Sequence, residues 1–291
     1  MAEGRISGND APTVLGDGAW TYTWAGVPRP FVHPVRSPAG HVLTVDAPAD
    51  HPWHHALWCT IKFVNGDNFW EEYGEFGILH QAEAPSITRH ADGVERAEAH
   101  LDWLPPDSTD PVLRQTLVLT HVPLGDDAHA LDWHVALTAC ADASLDRTPF
   151  TTWGGYGGLT LRGRPDWHDT TLRLADGAPR ERVLGDPSPW LAIAGPLGGD
   201  DGDAVVGAVL MDHPANVRHP TPWYASTRAA TYGDDGWSNF ANAAVLWDEP
   251  LALATGETLT LRHRVLVHDG AWESERIDAA WHDWATTPPT P

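Results

Sequence analysis

Hydrophobic side chains in this chain recur at every second residue in short runs, a period that suits strands and not helices. In residues 258–267, Leu259, Leu261, His263, Val265 and Val267 share one face, while Thr260, Arg262, Arg264 and Leu266 share the other. Residues 41–46, 112–120 and 131–138 alternate in the same way. Between the runs stand breakers: Pro105-Pro106-Asp107, Gly125-Asp126-Asp127, and the Gly/Asp clusters at 198–202 and 233–236. Strands at this spacing predict an all-β, antiparallel β-sandwich. One exception follows Gly270. Glu273 and Glu275 occupy a first turn, and Ile277, Ala280, Trp281 and Trp284 repeat at three and four residues, which predicts a single C-terminal α-helix.

Sandwiches of 291 residues are routinely one domain, so a single domain over 1–291 is expected, with 1–10 and 286–291 frayed. The 42% hydrophobic content, with 16 Trp, suffices for a large core. A formal net charge of -22 repels phosphate backbones and anionic lipid, which argues against nucleic-acid and membrane partners. No apolar run has the length of a membrane span, and Met1-Ala2-Glu3-Gly4-Arg5 shows no leader-like apolar stretch. A cytoplasmic protein is expected. Its one lysine, Lys62, lies in an apolar strand-like run, so Schiff-base chemistry is discounted. Cys59 and Cys140 share no metal-type spacing and read as buried thiols.

Four constellations carry chemistry. Asp50-His51-Pro52-Trp53-His54-His55-Ala56-Leu57-Trp58 packs three imidazoles beside a rigid proline, suited to acid–base work or to a metal. Asp212-His213-Pro214 opens a second such stretch, continuing through Arg218-His219-Pro220-Thr221-Pro222-Trp223-Tyr224. There a planar guanidinium and flat aromatic faces suit a sugar ring. Residues 68–80 add Glu72 and His80, which a hairpin would return toward His54 and His55. The Gly-rich stretch 151–162 brings Trp153 and Tyr156 on a bulged strand. Each has a plain alternative: solvated histidines, a stiff connector, an acidic loop.

These stretches together resemble the bacterial PmoA-like family, whose motifs run Asp-His-Pro-His-His-Arg-Gly-Leu-Trp, Asn-Gly-x-x-Phe-Trp, Tyr-Gly-Gly-Leu and Asn-x-Arg-His-Pro-Thr-Pro-Trp-Tyr. The matching residues are Asp50, His51, Pro52, His54, Leu57 and Trp58, then 65–70, 156–159 and 216–224. Trp53, His55 and Ala56 stand where that pattern has His, Arg and Gly. The resemblance implies a sandwich akin to the galactose-mutarotase supersandwich, in a setting of sugar metabolism.

The leading expectation is a carbohydrate-active enzyme on a sugar or keto-glycoside, working by elimination, epimerisation or hydrolysis. His54, His55 and His219 would exchange protons, Glu72 or Asp212 would orient them or act as base, and Arg218 would stabilise an oxyanion. Trp53, His80, Trp153, Tyr156 and Trp223 would contact substrate. No cofactor is required by this reading. The alternative is a divalent metal held by His51, His54 and His213; a third possibility is a non-catalytic sugar binder. All three place the two Asp-His-Pro stretches around one cavity.

Overall fold

The structure, a computed structural model, describes residues 11–148, 157–228 and 238–286. The strands are β1 (Thr13–Leu15), β2 (Trp20–Thr23), β3 (Phe31–Val35), β4 (Leu57–Ile61), β5 (Phe63–Val64), β6 (Asp67–Asn68) and β7 (Ile78–His80). Next come β8 (Ser86–Arg89), β9 (Glu95–Leu104), β10 (Leu113–Pro123), β11 (Ala128–Ala139), β12 (Ala143–Asp146), β13 (Gly157–Arg162) and β14 (Thr171–Leu174). The last are β15 (Arg182–Pro187), β16 (Trp190–Pro196), β17 (Val205–Asp212), β18 (Pro222–Ser226), β19 (Phe240–Ala243), β20 (Leu251–Leu253) and β21 (Thr258–Asp269). A helix, α1 (Ser274–Thr286), follows.

Two large antiparallel sheets face each other. One runs β1-β2-β3-β4-β13-β19-β18-β15, the other β14-β16-β17-β21-β11-β10-β9-β7, with β8 also on β9. A small sheet, β20-β12-β5-β6, stands apart. The predicted all-β sandwich is the observed architecture. Alternation decides what fills the space between the sheets: Leu57, Cys59 and Ile61 of β4 meet Leu117, Trp133, Leu210 and Val265 of the opposite sheet in one apolar cluster. Residues 259, 261, 263, 265 and 267 of β21 are buried, as their period requires.

The helix also matches its prediction. Ile277 and Trp284 are buried against Trp190, Met211 and Leu266 on the outer face of the nine-stranded sheet. Burying each such side chain contributes about 1.5–3 kcal/mol. Thr286, expected in the frayed tail, instead closes this helix. Residues 41–46, expected as a strand, make only isolated bridges, Arg36 to Val42, Thr44 to Gly163 and Asp46 to His55. Among the described residues no helix is long and apolar enough to cross a membrane.

The outer face of the eight-stranded sheet positions the site. Register sets Phe31 opposite Trp58, Trp58 opposite Thr160, Thr160 opposite Asn242, and Asn242 opposite Tyr224. These side chains point away from the main core, and Phe31, Trp58, Trp70, Tyr224, Phe240 and Ala244 form a separate buried aromatic cluster. An aromatic and polar row thus crosses five strands.

Candidate functional site

At one end of this row the first Asp-His-Pro segment folds as a tight turn. His51 N–H donates to Pro48 O and His54 N–H to His51 O, at 3.0 and 2.9 Å. Ala56 then takes φ 57°, left-handed backbone that glycine adopts most easily. This hinge throws His54 and His55 to different surroundings. His54 is buried, its ring centroid 4.5 Å from His51, 5.4 Å from Trp58 and 5.2 Å from Phe240. Burial, then the neighbouring charges of His51 and Arg162, push it well below the ordinary imidazole range. His54 is therefore neutral near pH 7.

His55 is the opposite case. Its Nδ1 lies 2.8 Å from Asp46 Oδ1 and its Nε2 2.8 Å from Glu72 Oε1. A neutral ring has one N–H, so a carboxylate at each nitrogen calls for the imidazolium. Burial alone would lower this group, but the hydrogen bonds and charges of Asp46 and Glu72 outweigh it and raise it. Phe31 stacks on the ring at 4.9 Å.

The carboxylates arrive on an Asx-type turn. Asn68 Oδ1 accepts the N–H of Trp70 and of Glu71, at 2.9 and 3.1 Å, turning Glu71 and Glu72 inward. Glu71 pairs with Lys62. Glu72 lies 3.4 Å from Nη1 of Arg29, a fully buried side chain whose Nη1 also donates to Trp70 O. Across the turn Arg162 donates to Asp50 at 2.7 Å. Trp53 and Tyr73 meet edge to face at 5.2 Å on the rim, Tyr73 62% exposed. Sequence reasoning found His54, His55, Glu72 and Trp53 here but missed Arg29, Asp46 and Arg162. The legible signal was Arg29 itself, a charge held between Pro28 and Pro30 beside an apolar run.

The second Asp-His-Pro segment lies elsewhere. β4 begins at Leu57, which faces Leu161 of β13; the next residue, Arg162, faces Phe240, which faces Ser226 at the end of β18. The second segment instead leads into Pro222, where β18 begins. Four residues of strand, about 13 Å, separate the two ends. The shared cavity expected from the sequence is thus not formed.

In this second segment the polar groups fix the loop. Asp212, fully buried, accepts from His219 Nδ1 at 2.6 Å, Asn216 Nδ2 at 2.7 Å and Thr221 N–H at 3.0 Å. Asn216 also clamps the backbone of Arg262 at both its N–H and its carbonyl. Arg218, expected at an oxyanion, is spent on the carbonyls of Val245, Glu249 and Pro250. His219 lies parallel to Trp281 at 6.0 Å. Trp223, expected on substrate, is 0% exposed in the main core and donates to Ser188 O.

Other expected residues also fall apart in space. His80 is exposed on β7 opposite Asp102, lining a groove of about 570 Å³ with Glu98, His100 and Arg114 on the outside of the nine-stranded sheet. Trp153 and Tyr156 lie outside the described residues. His213 packs on Trp284 at the α1 side, far from the stacked His51 and His54, so the three-histidine metal set is not assembled. Among the described residues, no three His, Cys, Asp or Glu side chains are grouped to share an ion. Burial lifts the Cys59 thiol to about 12, as befits an inert core residue.

Comparison with known proteins gives a family without a function. The description "family of unknown function (DUF6807)" matches residues 13–282, without reference to the PmoA-like label read from the motifs. No curated protein matches the chain. Among solved structures, the chain is similar to a protein of Klebsiella pneumoniae subsp. pneumoniae MGH 78578 provisionally named an aldose 1-epimerase. The identity is 10% and the TM-score 0.40, over 80% of this chain and 67% of that one. It is also similar to a mutant of the heparan sulfate lyase HepC from Pedobacter heparinus, at 10% identity and TM-score 0.37, over 92% of this chain. The chain spans 38% of that lyase's length. At these scores neither match transfers a residue role.

Proposed function

We propose, for a chain that belongs to the DUF6807 family, that the outer face of the eight-stranded sheet holds the active site of a carbohydrate-active enzyme working by proton transfer. One observation carries this reading: His55 is gripped at both ring nitrogens, by Asp46 and by Glu72, each at 2.8 Å. Such a grip costs desolvation of three charged groups and gives little stability in return. Its use is to hold a proton at a defined atom. Asp46 fixes the ring, and His55 and Glu72 share the proton across Nε2–Oε1. Glu72, whose side chain is 18% exposed, is the group that meets substrate. It takes a proton from a sugar carbon or hydroxyl, while the imidazolium and Arg29 offset the charge that develops. Trp53 and Tyr73 offer the flat faces on which a sugar ring rests.

The test is solvent exchange. The protein is incubated in D2O with a panel of aldoses, uronates and methyl glycosides, and deuterium entering C–H positions is followed by proton NMR. Wild type should label at least one sugar. Glu72→Gln should abolish labelling, and His55→Arg, which keeps the cation but cannot release a proton, should slow it by about 100-fold or more. Labelling at the wild-type rate in both variants would sink the reading, as would a panel that wild type leaves untouched.

A further inference from the structure

Arg29 has more donors than partners. Its Nη1 is committed to Trp70 O and to Glu72, but Nε and Nη2 are buried with no hydrogen-bond partner. Those two atoms form one edge of the guanidinium, with parallel N–H bonds. Elsewhere this chain uses the same edge to clasp carboxylates side-on. Arg264 holds Asp132 by Nε at 2.6 Å and Nη2 at 2.9 Å, and Arg164 holds Asp166 through the same pair. In Arg29 that edge is vacant, and the residue is 0% exposed. A buried fork with empty prongs is a costly arrangement unless something fills it.

We infer that the vacant edge of Arg29 receives the carboxylate of a sugar acid. This inference rests on the carbohydrate reading above and adds the substrate class. Three features favour a planar, singly charged two-oxygen group. The open edge is bidentate, which matches a carboxylate in geometry. Because Arg29 already faces Glu72, a singly charged group suits the open edge better than a phosphate, which brings a second charge. Trp58, whose Nε1 is also buried without a partner, packs at 5.5 Å on Trp70, the residue that anchors Arg29. That indole supplies a donor for a neighbouring ring oxygen. Glu72, which lies 3.4 Å from Arg29 Nη1, is itself 18% exposed and so connects the buried guanidinium with solvent. Burial also pulls the Arg29 guanidinium down to about 10, against the opposing charges of Glu72 and Glu71.

Calorimetric titration of the full chain at pH 7.5 compares D-glucuronate and D-galacturonate with D-glucose, D-galactose and D-glucose 6-phosphate. At least one uronate should bind about tenfold or more tighter than its neutral counterpart. Arg29→Met, close in length and uncharged, should remove that preference, and Arg29→Lys, which keeps the charge but not the fork, should lose most of it. Circular dichroism checks that the variants fold; if neither does, the wild-type comparison decides. Neutral sugars binding as well as uronates would overturn this inference and leave the carbohydrate reading standing. A preference for the sugar phosphate, or a uronate preference surviving Arg29→Met, would also overturn it. Failure of every sugar to bind would remove both.

Discussion

A carboxylate touches an imidazole in both Asp-His-Pro segments, and what separates the two contacts is where the remaining lone pairs go. Around Asp212 they are consumed by Asn216, Thr221 N–H and His219, all within one loop. Asp212→Ala should therefore cost roughly 3 kcal/mol, read as a lower midpoint in denaturant, because two buried donors and the half-buried His219 ring lose their acceptor together. His219→Ala should lower stability less and leave deuterium exchange unchanged; a collapse of exchange would return the second segment to the chemistry. The sequence made the two segments look alike because it displays residue types. It does not display that Arg218 spends its guanidinium on three carbonyls while Arg29 keeps an edge vacant. His55 stands where the resembled pattern has Arg, and its two-carboxylate grip suits either cation.

Among elements, strands set by alternation were legible and connections were not. The stretch 258–267 read correctly because its period of two holds through Val265 and both its neighbours are long strands. Residues 41–46 carry a similar pattern, yet Val35 N–H goes to the Thr44 hydroxyl, and the backbone bonds of the segment stand at isolated points, such as Leu43 N–H to Val35 O and Val45 N–H to Arg162 O. The glycine pattern suggested a bulged strand over 151–162, yet from Gly157 to Leu161 β13 pairs β4 with no register shift. Gly158 has φ 110°, and a Cβ there would stand 2.5 Å from Ala243 O on the adjacent strand, β19. Gly158→Ala should destabilise by about 2–3 kcal/mol and disturb the row that crosses the sheet at Thr160. Thermal unfolding showing no change would mean that β13 and β19 can separate freely at this point.

For the whole molecule, buried neutral histidines set the response to acid. Burial pushes His129 and His268 down to about 4, and lowers His54 and His263 as well. A histidine with a folded pKa below its unfolded value, about 6.5, binds fewer protons when folded. Its full stability is present above that value and is lost as pH falls toward the folded pKa. His129 and His268 should each cost about 2 kcal/mol by pH 5, so the denaturant midpoint should fall clearly between pH 7.5 and pH 5.0; a flat profile would contradict their burial as neutral rings. His55 runs the other way, its contribution present below about 6.5 and fading as pH rises through its raised value. The row from Phe31 to Tyr224 draws its members from five strands separated by as many as 211 positions along the chain (Phe31 to Asn242). Such a buried row exists only once the last of those strands has docked, so a half-folded molecule lacks the floor of the proposed site. A ligand bound there would act as a fastener for the complete sheet, raising the melting temperature as its concentration rises.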